Sequence, residues 1–462
     1  MQDLRSFIGN LSINAPDQIL VIKEEIDCRF EITAVLEKLH RIWKYPVCLF
    51  ENVKNLKGEP GHRVLANMYA DRRRYPYILN LPSDNYMMGP VLKVAQSIEK
   101  PVAPKVVSKE EAQVKQVIKT GKEVDLTSFS IPVQWELDGG PYLTSPVLTK
   151  DPDTSVYNLA IHRAMLREKD ETGVLLGEYS HNYLNFKKYE ERGEGCPVAI
   201  IGGYPPYLGL ASYARLPKEY DHLHFAGGLI ESHVRIVESE TWGKDLFVPA
   251  DAEIVIEGEI LPNVRKEEGP FGEWLGYTGH KTLSPVIKVT AITYSENPIL
   301  CTIHAGRPSE NMLHSIMDGA ILYFRARQIS PLVKAINLPN SGCGRLIVYA
   351  SMKKVMEGEQ MNVALTLATE KSKIVVIVDD DIDVFNENEV LWAVATRMQP
   401  GKGVHIIMGT RGTPLDPSIY DPPTHDVMII DATRPLNKPF NPVTKVPEEF
   451  MQHISLKIPL GG

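Results

Sequence analysis

Apolar positions at Leu4, Phe7, Ile8 and Leu11 recur at helical spacing, and the run Ile19 to Ile22 that follows has the texture of a strand. Helical spacing returns at Ile32, Val35, Leu36, Leu39 and Ile42, and Pro46 to Phe50 reads as a short buried strand. These elements predict a small N-terminal α/β domain. The stretch around Pro101 and Pro104, with the charged run Lys109 to Lys119, has few apolar anchors and reads as a linker. From about Val124 to Ile303 the texture becomes β-rich, with short runs at Pro146 to Thr149, Val198 to Ile201, His233 to Val237, Ile254 to Ile260 and Val286 to Tyr294. Such spacing predicts a barrel or sandwich. A helix is predicted from about Glu310 to Ile329, followed by strands at Arg345 to Tyr349, Ile374 to Val378, His405 to Met408 and Val427 to Ile430. The Pro-rich stretch Arg434 to Val446 reads as an extended tail that needs a surface, such as a partner subunit, to lie on.

Composition narrows the class. With 462 residues, 43% of them hydrophobic, the chain can fill two or three cores. Lys plus Arg number 50 against 58 Asp plus Glu, a formal charge of −8, which is the wrong sign for a protein that grips nucleic acid by its phosphates. No run approaches the roughly 20 apolar residues of a membrane span, and the start lacks a signal-peptide pattern, so the expected compartment is the cytoplasm. The five cysteines show no Cys-x-x-Cys pair, and each reads as a small buried hydrophobe.

Three stretches carry candidate chemistry. In Glu267-Glu268-Gly269-Pro270-Phe271-Gly272-Glu273 a turn-forming segment separates Glu268 from Glu273. Both carboxylates can then share a water-poor cavity, where desolvation and like charge raise one pKa as an acid catalyst requires. A solvated acidic hairpin tip is the plainer reading. In Ser155 to Met165, strand alternation sets Asn158, Ala160 and His162 on one face, with Leu159, Ile161 and Arg163 on the other. An arginine among aliphatic neighbours needs an anionic partner unless it lies at a surface edge. Asn158, His181 and Glu231 together make an O, N, O set suited to a hard or borderline divalent cation such as Mn²⁺ or Mg²⁺.

In order along the chain, these stretches resemble the UbiD decarboxylase family, together with Asp379-Asp380-Asp381-Ile382-Asp383 and Thr396-Arg397. The resemblance implies an N-terminal α/β domain (1–118, with linker), a central split-barrel-like domain binding prenylated FMN (119–308), a connecting helix (309–330) and a C-terminal α/β dimerisation domain with tail (331–462). It implies Arg163, Glu268 and Glu273 as a catalytic network, with Glu273 the proton donor. Cofactor contacts fall at Asn158, Leu159, Ala160, Ile161, His162, Arg163, Ser180, His181 and Glu231. A divalent metal, usually Mn²⁺, falls at Asn158, His181 and Glu231, and K⁺ or Na⁺ at Ala211, Ser212, Ala214 and Arg397. His304 and Arg307 fall where related enzymes begin to line the substrate pocket; alternatively Arg307 pairs near Glu310 and His304 merely ends a strand. The implied reaction is reversible, non-oxidative decarboxylation of an aromatic, heteroaromatic or α,β-unsaturated acid by a homodimer or higher homo-oligomer. A separate flavin prenyltransferase supplies the cofactor. Carboxylation, alone or within a larger complex, and a non-catalytic flavin-binding or assembly role are the competing readings. A conventional flavin oxidoreductase is a third, although no Gly-x-Gly-x-x-Gly opens a βαβ unit.

Overall fold

A computed structural model describes residues 3–369, 371–419 and 424–454; the end of the expected C-terminal domain, 455–462, lies outside the described residues. The helix Leu4–Asn14 begins where the Asp3 carboxylate accepts from the Ser6 N–H at 2.7 Å, a side-chain N-cap. Its spacing buries Leu4, Phe7 and Leu11 completely, and burying such a side chain is worth about 1.5–3 kcal/mol. Strands Ile19–Asp27, Val47–Lys54 and Arg63–Ala66 form the N-terminal sheet. Its fourth strand is Ile299–Cys301, parallel to Arg63–Ala66. The N-terminal sheet therefore borrows a strand from far along the chain, which covers an otherwise open edge.

Six strands close the central barrel: Ile254–Glu268, Cys196–Gly203, Tyr142–Lys150, Tyr157–Glu168, Glu171–Gly173 and Thr282–Tyr294, the last pairing back onto the first. Closure removes the free edges that an open sheet leaves. Val147, Val198, Ile200, Ile256 and Ile287 belong to its packed core. The expected linker is not free chain. Val117–Thr120 pairs with Thr282–Tyr294, and Lys115 is buried with its Nζ 3.3 Å from both Glu240 and Glu257. A buried ammonium persists only with such partners, so this charged stretch is anchored by its charge rather than by apolar residues.

The helix Pro308–Ile329 starts with Pro in its first turn and leads into a five-stranded sheet, ordered Val333–Asn337, Ile347–Met352, Ile374–Asp379, Thr424–Ala432 and Val404–Arg411. The three central strands are parallel and the two edges antiparallel. Leu436, Phe440 and Val446 of the Pro-rich stretch are exposed. Among the described residues no helix is long and apolar enough to cross a membrane.

Candidate active site

The strand Tyr157–Glu168 pairs along most of one side with Tyr142–Lys150. On the other side it meets Glu171–Gly173 only at Leu166 and Glu168. Leu175 continues the cover as far as His162 and Arg163, donating its N–H to the Arg163 carbonyl at 3.2 Å and placing its own carbonyl 2.9 Å from His162 Nδ1. The stretch before it borders a cavity of about 820 Å³, which Asn158, Ala160, Ile161, His162 and Arg163 all line. Strict alternation is therefore overturned: Ile161 and Arg163 share the cavity with Asn158 and His162, because a strand without a neighbour exposes its edge as well as a face. Leu159 is fully buried in the core and takes no part.

Arg163 joins the two carboxylates. It binds Glu268 in a two-pronged pair, Nε to Oε1 at 3.0 Å and Nη2 to Oε2 at 2.6 Å, and its Nη1 donates to Glu273. Glu268 is wholly buried at the end of Ile254–Glu268. Glu273 lies in the loop beyond it, where its N–H donates to the Tyr277 carbonyl at 2.8 Å. Asp138 ties this loop down, accepting from the Gly272 N–H at 2.9 Å and the Trp135 N–H at 3.0 Å. A Cβ at Gly272 would come within 2.1 Å of the Trp135 ring, so only glycine lets the loop lie this close. Burial pushes the Glu273 carboxyl above its ordinary value; Arg163 opposes this, while Glu268 and Asp138 add to it. The solvated-tip reading is excluded by this burial. Phe271 and Trp274, both nearly inaccessible, flank the pair, and the Arg163 guanidinium lies 5.3 Å from the Phe271 ring.

Further along the cavity, the helix His181–Glu191 presents its N-terminus, with Ser180 Oγ accepting from the Tyr183 N–H at 3.2 Å. Unpaired N–H groups and the helix dipole make such an end receptive to phosphate. The Asn158 amide donates to Asn182 Oδ1 at 2.6 Å, which leaves the Asn158 oxygen as the atom for a cation. His181 lines the same wall, its pKa lowered by burial and then by Lys218. Glu231 does not join them. It caps the far end of the helix His222–Ile230 in a left-handed conformation, is 79% exposed, and pairs with Lys93. His222, the first residue of that helix, lines the cavity instead, with its Nδ1 buried and unpartnered and its pKa lowered to about 4 by burial, with His181 a further, smaller contributor.

The expected monovalent set is also divided. Ser212 and Ala214 line the cavity and Ala211 lies buried beside them. Arg397 belongs to the C-terminal domain, where it binds Asp379 at 2.6 Å and Asp381 at 2.8 and 2.9 Å. A guanidinium committed to two carboxylates holds the Asp-rich turn together. Nor does the main cavity take in His304 and Arg307. His304 is buried against Trp135, with ring centroids 5.1 Å apart, and burial lowers its pKa to about 3. Arg307 pairs with Glu37 at 2.7 and 3.1 Å, not with Glu310, and borders a smaller pocket of about 200 Å³ that also touches Glu273.

Sequence reasoning passed over the opposite wall, which is made by Tyr213, Arg215, Glu310, His314, Arg345, Lys371 and Arg411. Burial, then the neighbouring Arg345 and Arg215, lowers the Lys371 ammonium to about 7. The signal that might have found this wall is the i, i+4 pair Glu310 and His314 in an otherwise apolar helix.

The residues fit a flavin nucleotide. An open strand edge offers backbone donors and acceptors, His162 Nε2 is buried without a partner, and a helix N-terminus with basic side chains nearby suits a phosphate. For a divalent cation the fit is to Asn158, His181 and His222, an O, N, N set of neutral donors that draws its countercharge from the bound phosphate. Among the described residues no three His, Cys, Asp or Glu side chains cluster as a metal site by themselves.

Three family models match in sequence: the N-terminal, Rift-related and C-terminal domains of 3-octaprenyl-4-hydroxybenzoate carboxy-lyase, over residues 12–88, 105–308 and 311–432. The phenolic acid decarboxylase of Sedimentibacter hydroxybenzoicus is 31% identical over 459 residues, covering 96% of this chain and 93% of its own. The UbiD-class enzyme HmfF of Pelotomaculum thermopropionicum, solved in complex with FMN, superposes with a TM-score of 0.90 at 34% identity, covering 98% of this chain and 99% of its own. An evolved dimeric form of HmfF in complex with prFMN gives 0.87 at 33%, covering 99% of each chain.

Proposed function

The chain belongs to the UbiD carboxy-lyase family, and from that premise we propose that it is a prenylated-FMN-dependent enzyme that reversibly decarboxylates an unsaturated or aromatic acid. The observation that carries the proposal is the Glu268–Arg163–Glu273 network, buried at one end of a cavity large enough for a flavin and a small acid. When bound, prenylated FMN supplies an electron sink for the pair released as the C–COO⁻ bond breaks. The edge from Asn158 to Arg163 would hold the ring system, and Ser180 with His181 the phosphate. Asn158, His181 and His222 would hold a divalent cation such as Mn²⁺, and backbone oxygens near Ser212 and Ala214 a K⁺ or Na⁺ ion.

The protein's own groups then divide the work. Arg163 orients the carboxylate and stays charged throughout, since its partners raise a pKa that burial alone would lower. Glu273, whose raised pKa favours the acid form, delivers a proton to the carbon that has lost carbon dioxide. Glu268, held at both oxygens, fixes the guanidinium. Phe271 and Trp274 keep water out, which strengthens each of these charges.

Co-expression with a flavin prenyltransferase, measurement of cofactor mass and absorption, and a carbon dioxide assay over aromatic, heteroaromatic and cinnamic-type acids test the proposal. Matured cofactor with carbon dioxide release is expected. A fully loaded protein that neither releases carbon dioxide nor exchanges hydrogen at the product carbon with any acid overturns it.

A further inference from the structure

We propose that Glu310 and His314, on one face of the helix Pro308–Ile329, select substrates that carry an uncharged hydrogen-bonding substituent, a hydroxyl above all, besides the carboxylate that is lost. This inference rests on the decarboxylase reading and names the substrate class that reading leaves open.

The two residues are one turn apart, about 6 Å along the axis, and both line the cavity. Asp318, a further turn on, is committed to Arg345 at 2.5 Å and Arg215 at 3.5 Å. Elsewhere on the helix Leu313, Ile316, Met317 and Ala320 pack into the core. His314 is 4% exposed, and its Nδ1 is buried without a partner. Its ring is fixed by the edge of Trp274 at 5.4 Å and by Tyr213 at 5.0 Å. Since Trp274 directly follows Glu273, this imidazole stands at the acid end of the cavity. Glu310 accepts from the Gly306 N–H at 3.0 Å and from the Tyr213 hydroxyl at 3.3 Å. Burial pushes its pKa up to about 7, against the pull of the Gly306 N–H and with Glu273 adding, so near neutrality it retains a proton in a large share of molecules.

A carboxyl and a neutral imidazole aimed at one space make a wall of hydrogen-bonding groups without net charge. A purely hydrocarbon substrate strands them, and a site built to bond a hydroxyl rejects the analogue that lacks it. A second carboxylate is disfavoured for another reason. Glu268, Glu273 and Asp138 already outnumber Arg163 in this end of the cavity, and like charge at short range in a water-poor site is costly.

The test uses cofactor-loaded full-length protein and three acids that differ at one ring position, bearing hydrogen, hydroxyl or carboxylate. The hydroxy acid should exceed both others in kcat/KM by on the order of 100-fold. Glu310→Gln and His314→Leu should each shrink that ratio tenfold or more at equal cofactor occupancy. Equal or better turnover of the unsubstituted or dicarboxylic acid by the unaltered protein overturns the inference, whether or not the variants fold. If none of the acids releases carbon dioxide, the decarboxylase reading falls, and calorimetric binding of the same acids decides the inference separately. Tighter binding of the hydroxy acid upholds it, and equal affinities overturn it.

Discussion

His222 and Glu231 stand at the two ends of one short helix, His222–Ile230 with Glu231 as its cap, and only the histidine reaches the cavity. At 1.5 Å per residue the two backbones are separated by about 13 Å, so no side-chain rotation brings the glutamate beside Asn158 and His181. Replacing Glu231 by Gln removes an exposed pair with Lys93, and such pairs contribute about 0–1 kcal/mol. Metal content, measured by elemental analysis of the purified holoenzyme, is expected to be unchanged in Glu231→Gln and to fall at least tenfold in His222→Ala. The opposite pattern would restore the glutamate to the metal site.

Glu273→Gln keeps the size of the side chain and removes the proton. Carbon dioxide release should fall by about 10²–10⁴-fold, the usual contribution of a positioned general acid, while cofactor mass and absorption stay as in the parent. Undiminished turnover would assign the proton to another group.

Arg163→Leu leaves Glu268 wholly buried without its two-pronged partner. Removing one member of a buried ion pair costs about 3–5 kcal/mol, so the urea midpoint of the barrel should drop clearly. The double variant Arg163→Leu with Glu268→Leu should recover part of that loss, because no charge is then stranded there. A double variant no more stable than Arg163→Leu alone would show that Glu268 is not held by this pair.

The carboxyl of Glu310 has its folded pKa pushed from 4.5 up to about 7. Between those values the folded protein holds a proton that the unfolded chain has released, so this group's contribution to stability is complete below pH 4.5 and is lost as pH rises through about 7. Melting curves from pH 5 to 8 should therefore slope downward less steeply in Glu310→Gln than in the parent. Parallel curves would mean that the carboxyl is ionised throughout.

Hydrophobic periodicity alone determined most elements of this protein, because periods of 3.6 and 2 report which face of a segment is buried. Leu4, Phe7 and Leu11 announced their helix, and Ile254 to Ile260 their strand. Arg163, Glu268 and Glu273 were also legible, since charges placed among apolar and turn residues need one another. What the chain's linear order could not show is which end of a helix faces a cavity. Lys93, which claims Glu231, is 138 positions away, and Glu37, which claims Arg307, is 270 away. Polar residues such as Lys115, Glu310 and His314 read locally as solvent-facing. Only packing from distant segments turned them inward, because a polar side chain is equally at home in water or beside a partner, and the partner exists only once the chain has folded.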